Sequence, residues 1–148
     1  MPTDDGRKII FLVEDNRADI RLIQEGLKNT AAPCEVVIAR DGMEAMAYLR
    51  QIGAGGQVAR PDLILLDLNL PRKDGREVLA EIKADPDLKH IPIIVLTTSR
   101  NEEDIFKSYD LHVNCYISKS RNLAQLFKIV RGIEAFWLET ATLPSGGL

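Results

Sequence analysis

Cysteine is scarce: Cys34 and Cys115 are the only two in 148 residues. They lie far apart and match no metal-ligand spacing, so neither a thiolate metal site nor a disulfide scaffold is expected. They read as two small buried residues in a reducing, cytoplasmic setting. The two histidines, His90 and His112, have no partner ligand at metal spacing. No uninterrupted apolar run approaches the ~18–20 residues of a membrane span. The stretch Met1 to Lys8 holds an acidic pair and no apolar segment behind a basic one, so it is not a signal peptide. There is no basic excess either. The formal net charge is -3, and a surface of that sign repels phosphate backbones, which argues against nucleic-acid binding.

What is present is an ordinary globular composition, 45% hydrophobic and 28% charged, in a chain of single-domain size. A chain this long buries roughly two thirds of its unfolded surface and needs no covalent staple. The organisation reads as one domain over 1–148, with a core from about residue 8 to 139 and a mobile tail from Thr140 to Leu148.

Short apolar runs alternate with amphipathic segments. KIIFLV (Lys8 to Val13) is a first strand, and Asn16 is placed to cap the helix that follows. CEVVIA (Cys34 to Ala39) is a second strand, followed by a helix with capping-box spacing at Asp41 and Glu44. A glycine-rich loop, Gly53 to Arg60, leads to LILL (Leu63 to Leu66) as the third strand. Asp74 and Glu77 have capping spacing ahead of a third helix. IPIIVL (Ile91 to Leu96) is a fourth strand, and Ser99 with Glu102 forms a further capping pair. VNCYIS (Val113 to Ser118) is the fifth strand, and a last helix runs from about Asn122 to about Glu139. Continuous apolar strands separated by helices imply a parallel sheet covered on both faces. The expected fold is α/β, a doubly wound five-stranded parallel sheet with five helices. Its working site lies outside the carboxyl ends of the strands.

Those ends hold the chemistry. The first strand runs into Glu14 and Asp15, the third into Asp67, the fourth into Thr97 and the fifth into Lys119. Three close carboxylates do not all stay ionised cheaply without a cation. An oxygen-rich cluster with few fixed ligands suits Mg²⁺, which keeps waters and shares its shell with phosphate. The Asn69 carbonyl is a further candidate ligand, and a lysine beside the metal suggests a bound phosphoryl group. Asp67, held rigidly after LILL, is the candidate carboxylate nucleophile. Thr97 is placed to donate to a phosphoryl oxygen. Taken singly, Thr97 and Lys119 read as a turn residue and a solvated charge, and Asp41 and Asp74 as helix caps. Their joint arrival at one rim is the signal.

The segments LVEDN (Leu12 to Asn16), DLILLDLNLPRKDG (Asp62 to Gly75), PIIVLTT (Pro92 to Thr98) and CYISK (Cys115 to Lys119) resemble a response-regulator receiver domain over about Ile9 to Trp137. That resemblance implies a flavodoxin-like fold of strand order 2-1-3-4-5. It implies Asp67 as phosphoacceptor, with Asp15, Asp67 and the Asn69 carbonyl as direct Mg²⁺ ligands and Glu14 acting through water. It implies Thr97 and Lys119 as phosphoryl-binding groups and Tyr116 as an aromatic switch. Further segments, DGREVLAEIK (Asp74 to Lys83), YDLHVNCYISKSRNL (Tyr109 to Leu123) and IEAFWLETATLP (Ile133 to Pro144), are similar to the small response regulators that partner cyanobacterial phytochromes. A light-regulated histidine kinase is then the implied phosphoryl donor. Two departures stand out. Ser120 follows the lysine where many receivers have a proline after a cis bond, and Thr98 stands where many have a smaller residue.

With no room for an effector domain, output is expected from the receiver's own surface. Leu123, Leu126, Phe127, Val130, Ile133 and Trp137 read as the core face of the last helix. Ile129 and Phe136 lie on a separate flank and are expected to contribute to a homodimer through helices four and five and strand five. Two other classes compete. An aspartate-nucleophile phosphatase also uses Mg²⁺, but it wants a second aspartate two residues on, where this chain has Asn69. A flavin carrier on the same fold wants hydroxyls and small residues where this chain has Glu14, Asp15, Asn16 and Arg17. The expected protein is therefore not an enzyme beyond its own phosphorylation and dephosphorylation.

Overall fold

The computed structural model describes residues 7–28, 33–52, 56 and 58–144. Five strands, β1 (Lys8–Val13), β2 (Cys34–Ala39), β3 (Leu63–Leu66), β4 (Ile93–Thr97) and β5 (Cys115–Ser118), alternate with five helices. These are α1 (Arg17–Lys28), α2 (Gly42–Leu49), α3 (Gly75–Ala84), α4 (Glu102–Asp110) and α5 (Leu123–Ile133). The sheet is parallel throughout, in the order β2-β1-β3-β4-β5, as expected. Residues 53–55 and 57 of the glycine-rich loop and the end of the tail, 145–148, lie outside the described residues.

Alternation along the strands divides the core in two. Phe11, Val13, Ile64, Leu66, Ile93 and Val95 face one way and pack with Met46 and Leu49 of α2 and Val78 and Ile82 of α3. Ile10, Leu12, Leu63, Leu65, Ile94 and Leu96 face the other way and pack with Ile20 and Ile23 of α1 and Leu126 and Val130 of α5. Helices therefore cover both faces, and β3 is buried along its whole length. The two thiols are free and half-buried rather than fully buried as expected, and burial pushes both upward in pKa.

The helix starts follow the expected caps in part. Asn16 accepts from the Asp19 amide at 3.0 Å, Asp41 from Glu44 at 2.8 Å, and Asp74 from Arg76 at 2.7 Å. At α4 the expectation fails. The cap is Asn101, which accepts from the Glu103 amide at 2.8 Å, while the Ser99 hydroxyl donates to Asp104 instead. Spacing alone does not separate two polar residues two apart, and the arginine that orients Asp104 comes from α3.

The last helix also differs. After Ile133 the chain continues as a π-helix, Glu134–Thr140. A π turn takes up about one extra residue, so Leu138 is buried where α periodicity points to Trp137, which is half-buried. Leu123 and Phe127, expected on the core face, are exposed at 53% and 38%. Phe127 lies beside α1, where a Cβ on Gly26 would come within 3.8 Å of its ring and 2.6 Å of Val130 Cγ1. The α1–α5 contact is thus made through a glycine. Ile129 is half-buried and packs on the second core, whereas Phe136 is 55% exposed and meets Trp137 edge to face. Among the described residues every peptide bond is trans, Lys119–Ser120 included.

Candidate phosphoacceptor and metal site

The sheet delivers its rim by register. Val13 pairs with Leu66 and Thr97 with Ser118, so the residues that follow arrive side by side. Backbone bonds extend the sheet by one step at the rim. The Glu14 amide donates to Ala39 at 3.0 Å, Asp67 to Val13 at 3.0 Å, and Lys119 to Thr97 at 2.5 Å. This is why Glu14, Asp67, Thr97 and Lys119 are all buried, although four of the five polar groups at the rim carry charge. Asp15, the fifth, is exposed.

Glu14, Asp15 and Asp67 each place a carboxylate oxygen within 4.8 Å of the others. Lys119 reaches into them: its Nζ lies 2.6 Å from Glu14 Oε1 and 3.4 Å from Asp67 Oδ2. It also lies 2.8 Å from Asp19 Oδ2 on the first turn of α1. Asp19 was not expected here. An acidic residue in a first helical turn is ordinarily helix-dipole decoration, and nothing in its spacing points to a lysine a hundred residues away in sequence. The Asn69 amide donates to Asp67 Oδ1 at 3.1 Å, and its side-chain Nδ2 lies 3.5 Å from Thr97 Oγ1. Tyr116 is half-buried. Its hydroxyl donates to the Ser99 carbonyl at 3.0 Å, and its backbone amide donates to the Tyr109 hydroxyl at 3.1 Å. All the expected rim residues therefore converge, and Tyr116 touches the loop that leaves Thr97.

The electrostatics are those of a site short of positive charge. Burial, and then the charge of Asp67, push the Glu14 carboxyl up to about 7, against the pull of Lys119. Burial works against the Lys119 ammonium too, but hydrogen bonds to Asp19 and Glu14 outweigh it, and the lysine is held above its usual range. One lysine thus serves Glu14, Asp67 and Asp19 in a cluster that also holds Asp15. A proton on Glu14 relieves the excess, and so would a divalent cation, which the oxygen-only donor set fits.

A linkage argument gives this a testable sign. Glu14 titrates near 4.5 when solvated and about 7 in the metal-free fold. Its proton therefore stabilises the metal-free fold fully below the lower value, and that stabilisation is lost as pH rises through about 7. A cation must displace the proton at low pH and need not at high pH. The rise in Tm on adding Mg²⁺ should be larger at about pH 8 than at about pH 5.5 by differential scanning fluorimetry. Equal rises at both would show that Glu14 does not hold the proton.

A doubly wound sheet whose rim gathers acidic, threonine and lysine side chains around a buried aspartate is the architecture of a phosphoacceptor module. The family model of the response regulator receiver domain matches residues 10–131, and the chain belongs to that family. It is 64% identical over 138 residues to Response regulator Rcp1 of Synechocystis sp., a match covering 93% of this chain and 94% of that protein. The crystal structure of the phosphorylated cyanobacterial phytochrome response regulator RcpA superposes with a TM-score of 0.89 at 75% identity. That match covers 94% of this chain and 99% of the other. The Mn²⁺-bound form of Rcp1 gives 0.89 at 64% identity, covering 93% and 99%. The chain is thus a response regulator of two-component signalling, and the phosphatase reading is not favoured.

Proposed function

We propose that Asp67 takes a phosphoryl group from a phytochrome-type histidine kinase, and that the chain acts in the cytoplasm as one receiver unit over 1–148. The observation that carries this reading is the meeting of the buried Asp67 carboxylate with Lys119 at 3.4 Å inside an acidic cluster. In the transfer, an Asp67 oxygen attacks the phosphorus of a phosphohistidine. The P–N bond breaks and its electron pair returns to the imidazole. Glu14, Asp15, Asp67 and the Asn69 carbonyl would hold Mg²⁺, which supplies charge neutralisation at the phosphoryl oxygens. Lys119 leaves Glu14 or Asp19 to meet a phosphoryl oxygen, and Thr97 donates a second hydrogen bond. The kinase assignment is supported by the similarity to the cyanobacterial phytochrome response regulator RcpA. The Asn69 side chain spends its amide on Thr97 and has no proton to shuttle, which is why turnover of a separate substrate is not part of this reading. Incubation with acetyl phosphate and Mg²⁺ should add one phosphoryl group by intact mass, and EDTA should prevent it. A chain that stays unlabelled with acetyl phosphate and with a phosphorylated phytochrome kinase would overturn the proposal.

Output is proposed to pass through a homodimer formed by α4, β5 and α5. Phe106 and Tyr109 of α4 are exposed at 72% and 49%, and Phe136 beyond α5 at 55%. Ile129 offers less, being half-buried on the core. Phe136→Ala is expected to weaken self-association about tenfold or more, since truncating an interface hot spot costs about 2 kcal/mol or more and about 1.4 kcal/mol is tenfold. Sedimentation that finds a monomer at working concentration, unchanged by the substitution, would count against it.

A further inference from the structure

A closed circuit of polar contacts runs from the phosphoacceptor loop to α4 and back. Arg76, in the first turn of α3, grips Asp104 of α4 with one edge of its guanidinium, Nε to Oδ1 at 2.7 Å and Nη2 to Oδ2 at 2.6 Å. Its third nitrogen, Nη1, donates to the Leu68 carbonyl at 3.3 Å and to Asp74 at 3.1 Å. Leu68 is the residue between Asp67 and Asn69. On the other side, Asp104 Oδ2 accepts from the Ser99 hydroxyl at 2.8 Å, and the Ser99 amide donates to Thr97 Oγ1 at 3.4 Å. The circuit closes where Asn69 Nδ2 meets Thr97 Oγ1. Tyr116 is tied to the same loop through the Ser99 carbonyl.

We propose that the Arg76–Asp104 pair is a positioning clasp that couples phosphorylation of Asp67 to α4. Three features favour this over a plain surface ion pair. The pairing is bidentate, so it fixes orientation as well as distance. Asp104 is only 13% exposed. The partners lie 28 residues apart on elements flanking the site, and each also bonds the backbone or hydroxyl of a rim loop. Hydrogen bonds from Arg76, with smaller help from Ser99, hold the Asp104 carboxyl down to about 2, so the pair stays charged across the working range. When Thr97 turns toward a phosphoryl oxygen, its bonds to Asn69 and Ser99 must change. Ser99 then transmits the change to Asp104 and so to the first turn of α4.

The proposal rests on Asp67 as phosphoacceptor, and the test separates the two. Arg76→Gln, Asp104→Asn and Arg76→Lys are incubated with acetyl phosphate and Mg²⁺ and labelling is read by intact mass. Hydrogen exchange is then followed over residues 99–110, with and without the phosphoryl group. Arg50→Gln, which breaks the separate Arg50–Glu81 pair between α2 and α3, is the control. The expected result is that all variants are labelled, but that the phosphorylation-dependent change in exchange falls about fivefold or more in Arg76→Gln and Asp104→Asn, the lower end of ordinary coupling. Arg76→Lys, which keeps the charge but loses the fork, should recover part of it, and Arg50→Gln should match the wild type. A merely structural role would alter the baseline exchange and leave the phosphorylation-dependent difference intact. That result overturns the clasp, as does a labelled wild type with no change at 99–110. A wild type that neither acetyl phosphate nor a phosphorylated phytochrome kinase labels overturns the Asp67 reading and the clasp with it. Should Arg76→Gln fail to fold, Asp104→Asn and Arg76→Lys decide.

Discussion

Asp67→Asn takes up no phosphoryl group from acetyl phosphate under conditions that label the wild type: this is the expected result, read by intact mass. The reason is chemical rather than steric. An amide has nearly the shape of the carboxylate but not its nucleophilic oxygen, so no acyl phosphate can form and acetate is not displaced. The fold should survive, because the Asp67 backbone amide, not its side chain, is what bonds Val13. The substitution also removes one negative charge from a cluster in which Asp67 is the second largest cause of the raised Glu14 carboxyl. Asp67→Asn should therefore let Glu14 titrate lower and reduce the effect of Mg²⁺ on Tm, a second readout independent of labelling. Label on the variant at the wild-type level would move the phosphoacceptor elsewhere, with Asp15, the exposed carboxylate of the trio, as the next candidate.

How far the chain could be read before it was seen folded depended on the range of the interaction involved. Strand order came with the resemblance to the receiver family, but the convergence of Glu14, Asp67, Thr97 and Lys119 follows from a local fact repeated on four strands, an apolar run ending in a polar residue. Parallel register then carries those ends to one rim. Where the deciding partner is remote, the residues themselves say little. Asp19 looks like a helix start until Lys119 arrives from β5. Ser99 looks like a cap until Arg76 positions Asp104 to receive it. Trp137 looks buried until one extra residue in a π turn hands its place to Leu138. Phe127 looks like core until it is placed beside a glycine on α1 rather than over the sheet.

Gly75 shows the same limit, and it carries the second large prediction. From spacing, Asp74 and Gly75 are a helix cap and its neighbour, and the cap is there. Folded, Gly75 presses its α-carbon against the phosphoacceptor backbone. Its amide donates to the Leu68 carbonyl at 3.0 Å, and a Cβ would run into the Asp67 carbonyl oxygen and come within 2.6 Å of Leu68 Cα. Every one of those atoms is main chain, so no side chain can swing aside. Gly75→Ala must either push α3 off the sheet or displace the loop that holds Asp67. The expected loss is about 3 kcal/mol or more, the upper end for overpacking, and at roughly 2–4 °C per kcal/mol a fall in Tm of about 6 °C or more. Gly132→Ala, inside α5 where an added Cβ meets nothing within 4 Å, should instead gain about 0.5–1 kcal/mol from helix propensity alone. Thermal unfolding of the pair separates the two contributions of a glycine, conformational freedom and absent bulk. Any folded Gly75→Ala should also label more slowly than wild type, because the same methyl that strains the helix start moves Asp67 from the lysine and acidic partners that make it reactive. A Gly75→Ala protein with wild-type Tm and labelling rate would mean that the contact between α3 and the Asp67 loop is looser than the structure shows.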